Sequence, residues 1–423
     1  MASLAVGVIE TVNGSYMYLR QGQLQVMMST EALTLYINND EEFVDVVWRE
    51  ITAHAETHSP CVLRFPNYTD SCKKIGFYLT ANPNYTFEIE CDRVKTIRQG
   101  AFRECRNLLK VTMCCVILVN EGAFWRCTAL KTVTMDAVLN IKSSAFALCT
   151  SLKTAHVPVV TTLGEKTFRR CNTLEYVDMP ELTDVQFEAF YACESLKAVS
   201  LPAVKVIPSR AFMSCKALEH VDIPNVTRVE RSAFSSCDSL VIVSLPRVTE
   251  ICVNAFDGCK SLTTVSSPDV TVIGEGSFSF CRSLTTVLLP NVTRIATNPY
   301  GVDATHPYGI ESAFNHCVAI AHVVCPFAAL ENLLSPYNSG PVIVRFSGVL
   351  TAQERQDLPR AVRGWTGTKL FRNADKQSAI ALLAANQRNF FNLPSKLAKL
   401  PLPATELIIK LIVPVYAIYK QNT

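Results

Sequence analysis

The sequence predicts a repeat solenoid, α/β to mainly β, in which similar coils stack right-handed on one another. Each coil is expected to close through a short helical or 3₁₀ turn, with capping regions at both ends of the stack. Three observations predict it. A phenylalanine stands at 102, 124, 146, 168, 190, 212, 234, 256 and 278, a step of 22 each time, and returns at Phe314. Three residues after each comes a cysteine, from Cys105, Cys127 and Cys149 through to Cys281 and Cys317, with no gap in the column. A leucine follows at 108, 130, 152 and onward to 284, with Ile320 in the last copy, and from Pro158 a proline closes the segment.

At 423 residues the chain is far longer than one ordinary domain needs. Hydrophobic residues make up 49% and charged residues 18%, so material for a core is ample. The 40 basic side chains nearly balance 37 acidic ones, and no global field favours nucleic acid or an anionic membrane as a partner. No Gly-rich phosphate loop and no nucleophile elbow is present, so neither a small-molecule substrate nor a cofactor is expected. Partners must be recognised by shape and local chemistry.

Residues 1–90 lack the period and read as an α/β capping region. Within them DEEFVDVVWREITAHAE, 40 to 56, has acidic residues at its start and Phe43, Val46, Val47 and Ile51 on one face, the pattern of an amphipathic helix. CVLRFP and TFEIEC read as strands. The second of these, with Val94 and Ile97, precedes Val116 and Val119 by 22 residues and so forms a partial first coil. MASLAVGVIETVNGSYMYLR carries no basic leader ahead of an apolar stretch, from which a cytoplasmic location is expected. Sequons at Asn13, Asn67, Asn84, Asn225 and Asn291 keep the cell surface as the alternative.

Residues 91–330 hold the array. In each copy a segment such as Leu196, Val199, Leu201 alternates inward and outward as a strand, and the proline that follows stops it for want of an amide hydrogen. A second extended piece, such as Val204 to Ile207, leads to Ala-Phe-x-x-Cys, whose three-residue spacing fits one helical or 3₁₀ turn. Self-similarity at this period with an L-x-x-V-x-L core marks a leucine-rich solenoid. One coil cannot bury its own apolar face, so stability must come from stacking. Ten coils about 4.8 Å apart make a body on the order of 45 Å long, a surface rather than a pocket.

The copy LEHVDIPNVTRVERSAFSSCDSL, 218 to 240, resembles the BspA-like leucine-rich repeats, with their I-P strand ending, V-x-x-I, AF-x-x-C and L. The resemblance spans roughly residues 91 to 330. It implies an interaction module that engages proteins, often displayed on the cell surfaces of bacteria and protists.

Ten thiols in one column could form disulfides, hold a soft metal, or pack. Adjacent coils are near enough for bridging, but seventeen cysteines cannot all pair within one chain. No histidine accompanies the column at zinc spacing, and Cys114-Cys115 lacks the C-x-x-C separation. Packing is expected, with cysteine acting as a small buried hydrophobe, and no metal site.

Function is expected where the repeat leaves residue identity free, on the outward strand positions. The residues singled out are Lys153, His156, Glu175, Tyr176, Asp178, Lys197, His220 and Asp222. Lys153, Glu175, Lys197 and Glu219 alternate in sign down one column and can neutralise each other. His156, Asp178, Ser200 and Asp222 share another column, but an open strand face lacks the oriented base, oxyanion site and dry setting that a triad needs, so no catalytic residue is expected.

Between Phe278 and Phe314 the interval is 36, so one coil carries fourteen extra residues, including ATNPYGVDATHPYGI, 296 to 310. Tyr300, Asp303, His306 and Tyr308 in this loop are candidate partner contacts.

Residues 331–423 are expected to form a mainly helical cap or tail. PVIVRFSG, 341 to 348, reads as a closing strand, while TAQERQDL and ADKQSAIALLAANQRNFF read as helices. LIIKLIVPVYAIY, 407 to 419, is too short for a bilayer span and is broken by Lys410 and Pro414. PSKLAKLPLPATELIIKLIV, 394 to 413, is similar to the start of F-box-type helices. The leading expectation is a protein-protein interaction scaffold without enzymatic activity, with a surface adhesin or a ubiquitin-ligase adaptor as alternatives.

Overall fold

The computed structural model of the chain describes residues 79–80, 86–296, 313–326 and 347. Beyond these it gives only the strands Gly7–Glu10, Tyr16–Arg20, Leu24–Met28, Leu33–Ile37, Cys61–Phe65, Ile343–Phe346 and Lys369–Leu370. The expected helix at 40–56, the loop residues Tyr300, Asp303, His306 and Tyr308, and the C-terminal helices with the 394–413 tail lie outside the described residues.

From Phe87 to Ala296 each coil contributes one outer strand and one second strand, shorter in most coils, and the strands pair in parallel with the equivalent strands of neighbouring coils except at the breaks described below. Thr132–Thr134, Thr154–His156 and Tyr176–Asp178 pair in a register of 22, Thr132 opposite Thr154 opposite Tyr176. The second series runs through Leu118–Val119, Asn140–Ile141 and Thr162–Leu163 in the same register. The central residue of each outer strand points inward, as Val133, Ala155 and Val177 do, because successive strand side chains alternate. The outer sheet continues at the N-terminal side through Phe87–Cys91 and Cys61–Phe65 to Leu33–Ile37, beyond which the pairing turns antiparallel. On the far side Ile343–Phe346 pairs parallel with His322–Cys325, so the strand expected at 341–348 extends the stack.

The Ala-Phe-x-x-Cys corner takes the tighter of the two expected turns, with the i→i+3 bonds of a 3₁₀ turn, but does not run on as a helix. Its amides alternate in direction: those of Ala101, Arg103 and Cys105 donate to carbonyls three residues back, whereas those of Gly100, Phe102 and Glu104 donate to Glu121, Ala123 and Trp125 in the next coil. A continuous helix would aim all of them along one axis. The alternation requires left-handed backbone at Gly100 and Glu104, φ 62° and 61°, and the same two positions recur with positive φ through the array. The corner is therefore a chain of i→i+3 turns that doubles as a third column of inter-coil bonds.

Behind that corner lies the core. The ten phenylalanine rings from Phe102 to Phe314 are buried and stack with centroids 5.0 to 5.4 Å apart and planes within 15° of parallel. The stack is undisturbed by the insertion. Phe278 and Phe314 remain 5.0 Å apart, and Thr286 still faces His322.

The cysteines of the column are free thiols and fully buried. They also act as hydrogen-bond donors. The Sγ of Cys127 lies 3.0 Å from the Phe102 carbonyl of the preceding coil, and the contact repeats at 2.9 to 3.2 Å from Cys149 to Cys317. Burial pushes the Cys105 and Cys215 thiols up to about 12, because a thiolate there would lose its water.

Two outcomes follow. Phe168→Ala is expected to cost about 3–5 kcal/mol, since the vacated space loses contact with the rings on both sides, and Phe168→Leu less than half of that; urea denaturation measures both. Below about pH 8.5 Cys105 and Cys215 keep their protons in the folded and unfolded chains alike; above it only the unfolded chain releases them, so each of these two thiols removes about 1.4 kcal/mol of stability per pH unit until its folded value near 12. Cys215→Ala should flatten the loss between pH 8.5 and 10.5 by one thiol's share, read from denaturation midpoints against pH.

Candidate partner-binding strand face

The singled-out residues lie on four consecutive outer strands. Lys153, Glu175 and Lys197 each precede their strand, and His156, Asp178 and Asp222 each end one. Tyr176 and His220 open Tyr176–Asp178 and His220–Asp222 and point outward beside buried or partly buried valines. Tyr176 is 56% exposed, the largest apolar exposure among the described residues.

In the charge column one pair closes: Lys197 Nζ lies 2.8 Å from Glu175 Oε2. Hydrogen bonding to Lys197 holds the Glu175 carboxyl below its usual range, and Glu175 correspondingly raises Lys197. Lys153 and Glu219 flank this pair and act on it at longer range. In the second column His156 is held between carboxylates, with Nδ1 3.2 Å from Asp178 Oδ2 and Nε2 3.7 Å from Asp136 Oδ1. Ser200 donates to Asp222 Oδ2 at 3.0 Å, so its proton goes to a carboxylate and not to an imidazole base. His220 Nε2 lies 3.9 Å from Glu219. Asp136 escaped the sequence reading because it follows Met135 where later copies carry proline.

These residues straddle a seam in the ladders. The second-strand sheet ends at Asp184–Val185 and a new one begins at Val206–Ile207; the outer sheet likewise breaks between Tyr176–Asp178 and Ala198–Ser200. Pro208 accounts for the first break. At the equivalent positions the amides of Gly164, Gln186, Glu230 and Cys252 donate to the preceding coil, and proline has no hydrogen to give. On the outer side the Lys197 amide reaches the Glu175 carbonyl at 3.3 Å, longer than the 2.8 to 3.0 Å of the other bonds in that column.

Ion pairs supplement the backbone bonds that remain across this seam. Lys197–Glu175, Arg210–Glu188 and Lys216–Glu194 all join residues 22 apart across this one seam, at 2.8, 3.4 and 3.1 Å. Glu188 is nearly buried and is also met by Arg169 at 3.4 Å. The turn corner stays continuous, with the Phe190 amide donating to Ala211 at 2.8 Å and the rings of Phe190 and Phe212 5.2 Å apart. Strand pairing is thus interrupted on two faces of the seam while the aromatic stack continues through it.

The later strands are plainer. Thr263 and Thr285 turn their hydroxyls back to the carbonyls of Val241 and Thr263 at 3.1 Å, which satisfies them internally. Among the described residues no three metal-ligating side chains gather into a site, and no helix is long and apolar enough to cross a membrane.

The family model for the BspA type leucine rich repeat region matches residues 71–197 and 183–301, in six copies. No curated protein matches the chain. Among solved structures it is similar to a leucine rich cell surface protein from Faecalibacterium prausnitzii, at 20% identity over 80% of this chain and 96% of that one, TM-score 0.38. A leucine-rich repeat protein from Bacteroides ovatus is 18% identical over 83% and 98%, TM-score 0.33. The T. pallidum leucine rich repeat protein is 19% identical over 62% and 89%, TM-score 0.30.

Restoring the missing amide with Pro208→Ala should raise hydrogen-exchange protection at Val206 and Ile207 roughly tenfold, the worth of one net hydrogen bond of about 1–1.5 kcal/mol. Raising NaCl from about 0.05 to 1 M should speed exchange there more than at Arg228 and Val229, because screening weakens the exposed pairs.

Proposed function

The chain belongs to the BspA-type leucine-rich repeat family, and from that premise we propose that it is a protein-interaction scaffold whose outer strand face between Lys153 and Asp222 meets a protein partner. The observation that carries this reading is Tyr176, a half-exposed aromatic set among charge pairs that are already matched to one another. Such an arrangement suits an interface centre. The ring supplies apolar area with few degrees of freedom, while the surrounding ions need no partner charge to be buried beside it. The Thr-rich coils beyond offer a flatter and less distinctive surface. The 296–310 loop, with Tyr300, Asp303, His306 and Tyr308, is the second contact in this proposal, since the stack keeps its register around the insertion.

A surface adhesin is the second reading, favoured by the five sequons. Two of these asparagines, Asn225 and Asn291, donate their side-chain amides to the carbonyls of Pro202 and Pro268, each at 2.8 Å. Cell fractionation with a glycosidase mobility shift separates surface from cytoplasm.

The test is affinity capture from the native cell with the wild type, Tyr176→Ala and a chain lacking residues 298–309. Tyr176→Ala is expected to weaken the principal complex about 30-fold or more, an interface-anchor loss of about 2 kcal/mol. An unchanged set of captured proteins for both variants would exclude the strand face and loop as the binding surface.

A further inference from the structure

The turn corner carries a second feature that the strand face does not use. In one coil its outward positions are the small or neutral Ala147 and Leu148. The equivalent positions hold Trp125 and Arg126 one coil earlier and Arg169 and Arg170 one coil later. The mismatch leaves a notch of about 190 Å³ with an indole on one side and Lys166, Arg169 and Arg170 on the other.

Aromatic rings hold the cations around it, and carboxylates meet two of them, Glu104 at 3.9 Å from Arg126 and Glu188 at 3.4 Å from Arg169. Arg103 and Arg126 lie over the Trp125 ring at 4.3 and 5.1 Å, Arg169 over Tyr191 at 5.2 Å, and Lys166 over Phe187 at 5.6 Å. An aromatic face restrains a cation while leaving most of its N–H donors available. Among the described residues no carboxylate forms an ion pair with Arg103, Lys166 or Arg170, and the one that meets Arg169, Glu188, is shared with Arg210. The notch is therefore cationic and pre-ordered, with an apolar floor.

We propose that this notch docks an acidic segment of a protein partner, one Asp or Glu carboxylate seating among Lys166, Arg169 and Arg170 with its aliphatic stem against Leu148. That the partner is a protein rests on the scaffold reading; the face used is a different one. Single-stranded nucleic acid fits less well, because its bases need open aromatic faces and the indole is already covered by guanidinium groups. The chain's near-neutral balance of 40 basic and 37 acidic residues supplies no wider field for a polyanion.

The test uses the full chain and a fluorescein-labelled peptide of six glutamates in Gly-Ser flanks, followed by anisotropy at about 0.05 M NaCl, with the six-glutamine peptide as control. The glutamate peptide is expected to bind and the glutamine peptide not to. Lys166→Ala and Arg170→Ala should each weaken binding about tenfold, while Lys197→Ala, Lys260→Ala and Tyr176→Ala leave it unchanged. Circular dichroism confirms that each variant keeps its fold. Absence of glutamate-peptide binding overturns the proposal. So does equal weakening by Lys260→Ala, which means a diffuse field, or tighter binding of a single-stranded RNA of equal charge. Because Tyr176→Ala affects only the strand-face complex, failure of one reading is told apart from failure of the other.

Discussion

From Phe102 to Phe278 each phenylalanine carbonyl of the column accepts two hydrogens, one from the amide of the cysteine three residues on and one from the thiol of the cysteine in the next coil. At Phe146 these come from Cys149 at 3.3 Å and Cys171 at 3.1 Å. A carbonyl buried behind a stacked ring has no water to turn to, and the thiol meets the lone pair that the amide leaves open. The position three after the ring must therefore donate, be small, and tolerate a dry setting. Alanine fails the first condition, and serine would bring a more polar group into the core. Cysteine meets all three, which is why it returns in every coil. The same requirement fixes the spacing of rings and thiols along the corner, and with it the register of both sheets.

A stack whose register is set at one corner can relax elsewhere. At the level of Pro208 both strand ladders lapse, yet the rings of Phe190 and Phe212 keep their separation and the corner amides keep their bonds. Three ion pairs cross that level, two of them between exposed side chains that salt can screen. Val221, packed against the core here but only partly buried, and Tyr176 on the outer face belong to the same neighbourhood. The proposed partner face thus sits where the scaffold is held by side chains more than by backbone. The outer ladder lapses again one coil on, between His220–Asp222 and Ile242–Ser244.

Most of this architecture was legible because the repeat is a periodic constraint stated ten times. The inward Val and Leu positions, the strands at Phe87–Cys91 and Ile343–Phe346 and the buried thiols all follow from alternation and spacing. The conformation of the corner was not legible. Glu104, Arg126, Leu148 and Arg170 occupy left-handed backbone although none is glycine or asparagine, so residue type carried no warning. They are held there by bonds to the next coil, a tertiary effect invisible along one copy. The thiol's role as donor was hidden for a similar reason, since its acceptor lies 25 residues away. At the site, the Lys-Glu column could be read from alternating signs. The Asp136 contact to His156 and the Arg169 contact to Glu188 cross columns, and no single column shows them.

Insertions and recognition residues are tolerated in this design for one reason. The corner needs Phe and Cys in phase and is indifferent to what the chain does between them, as the 36-residue interval between Phe278 and Phe314 shows: ring spacing there is 5.0 Å, the same as between Phe102 and Phe124. Outward columns are less constrained than the core, because their side chains meet solvent, one another and, at Thr263 and Thr285, the carbonyls of the preceding coil. A binding surface on such a body is written in columns one coil apart, so a partner reads residues separated by 22 in sequence as neighbours. Changing one of them alters the surface by a single side chain and leaves the stack beneath it intact.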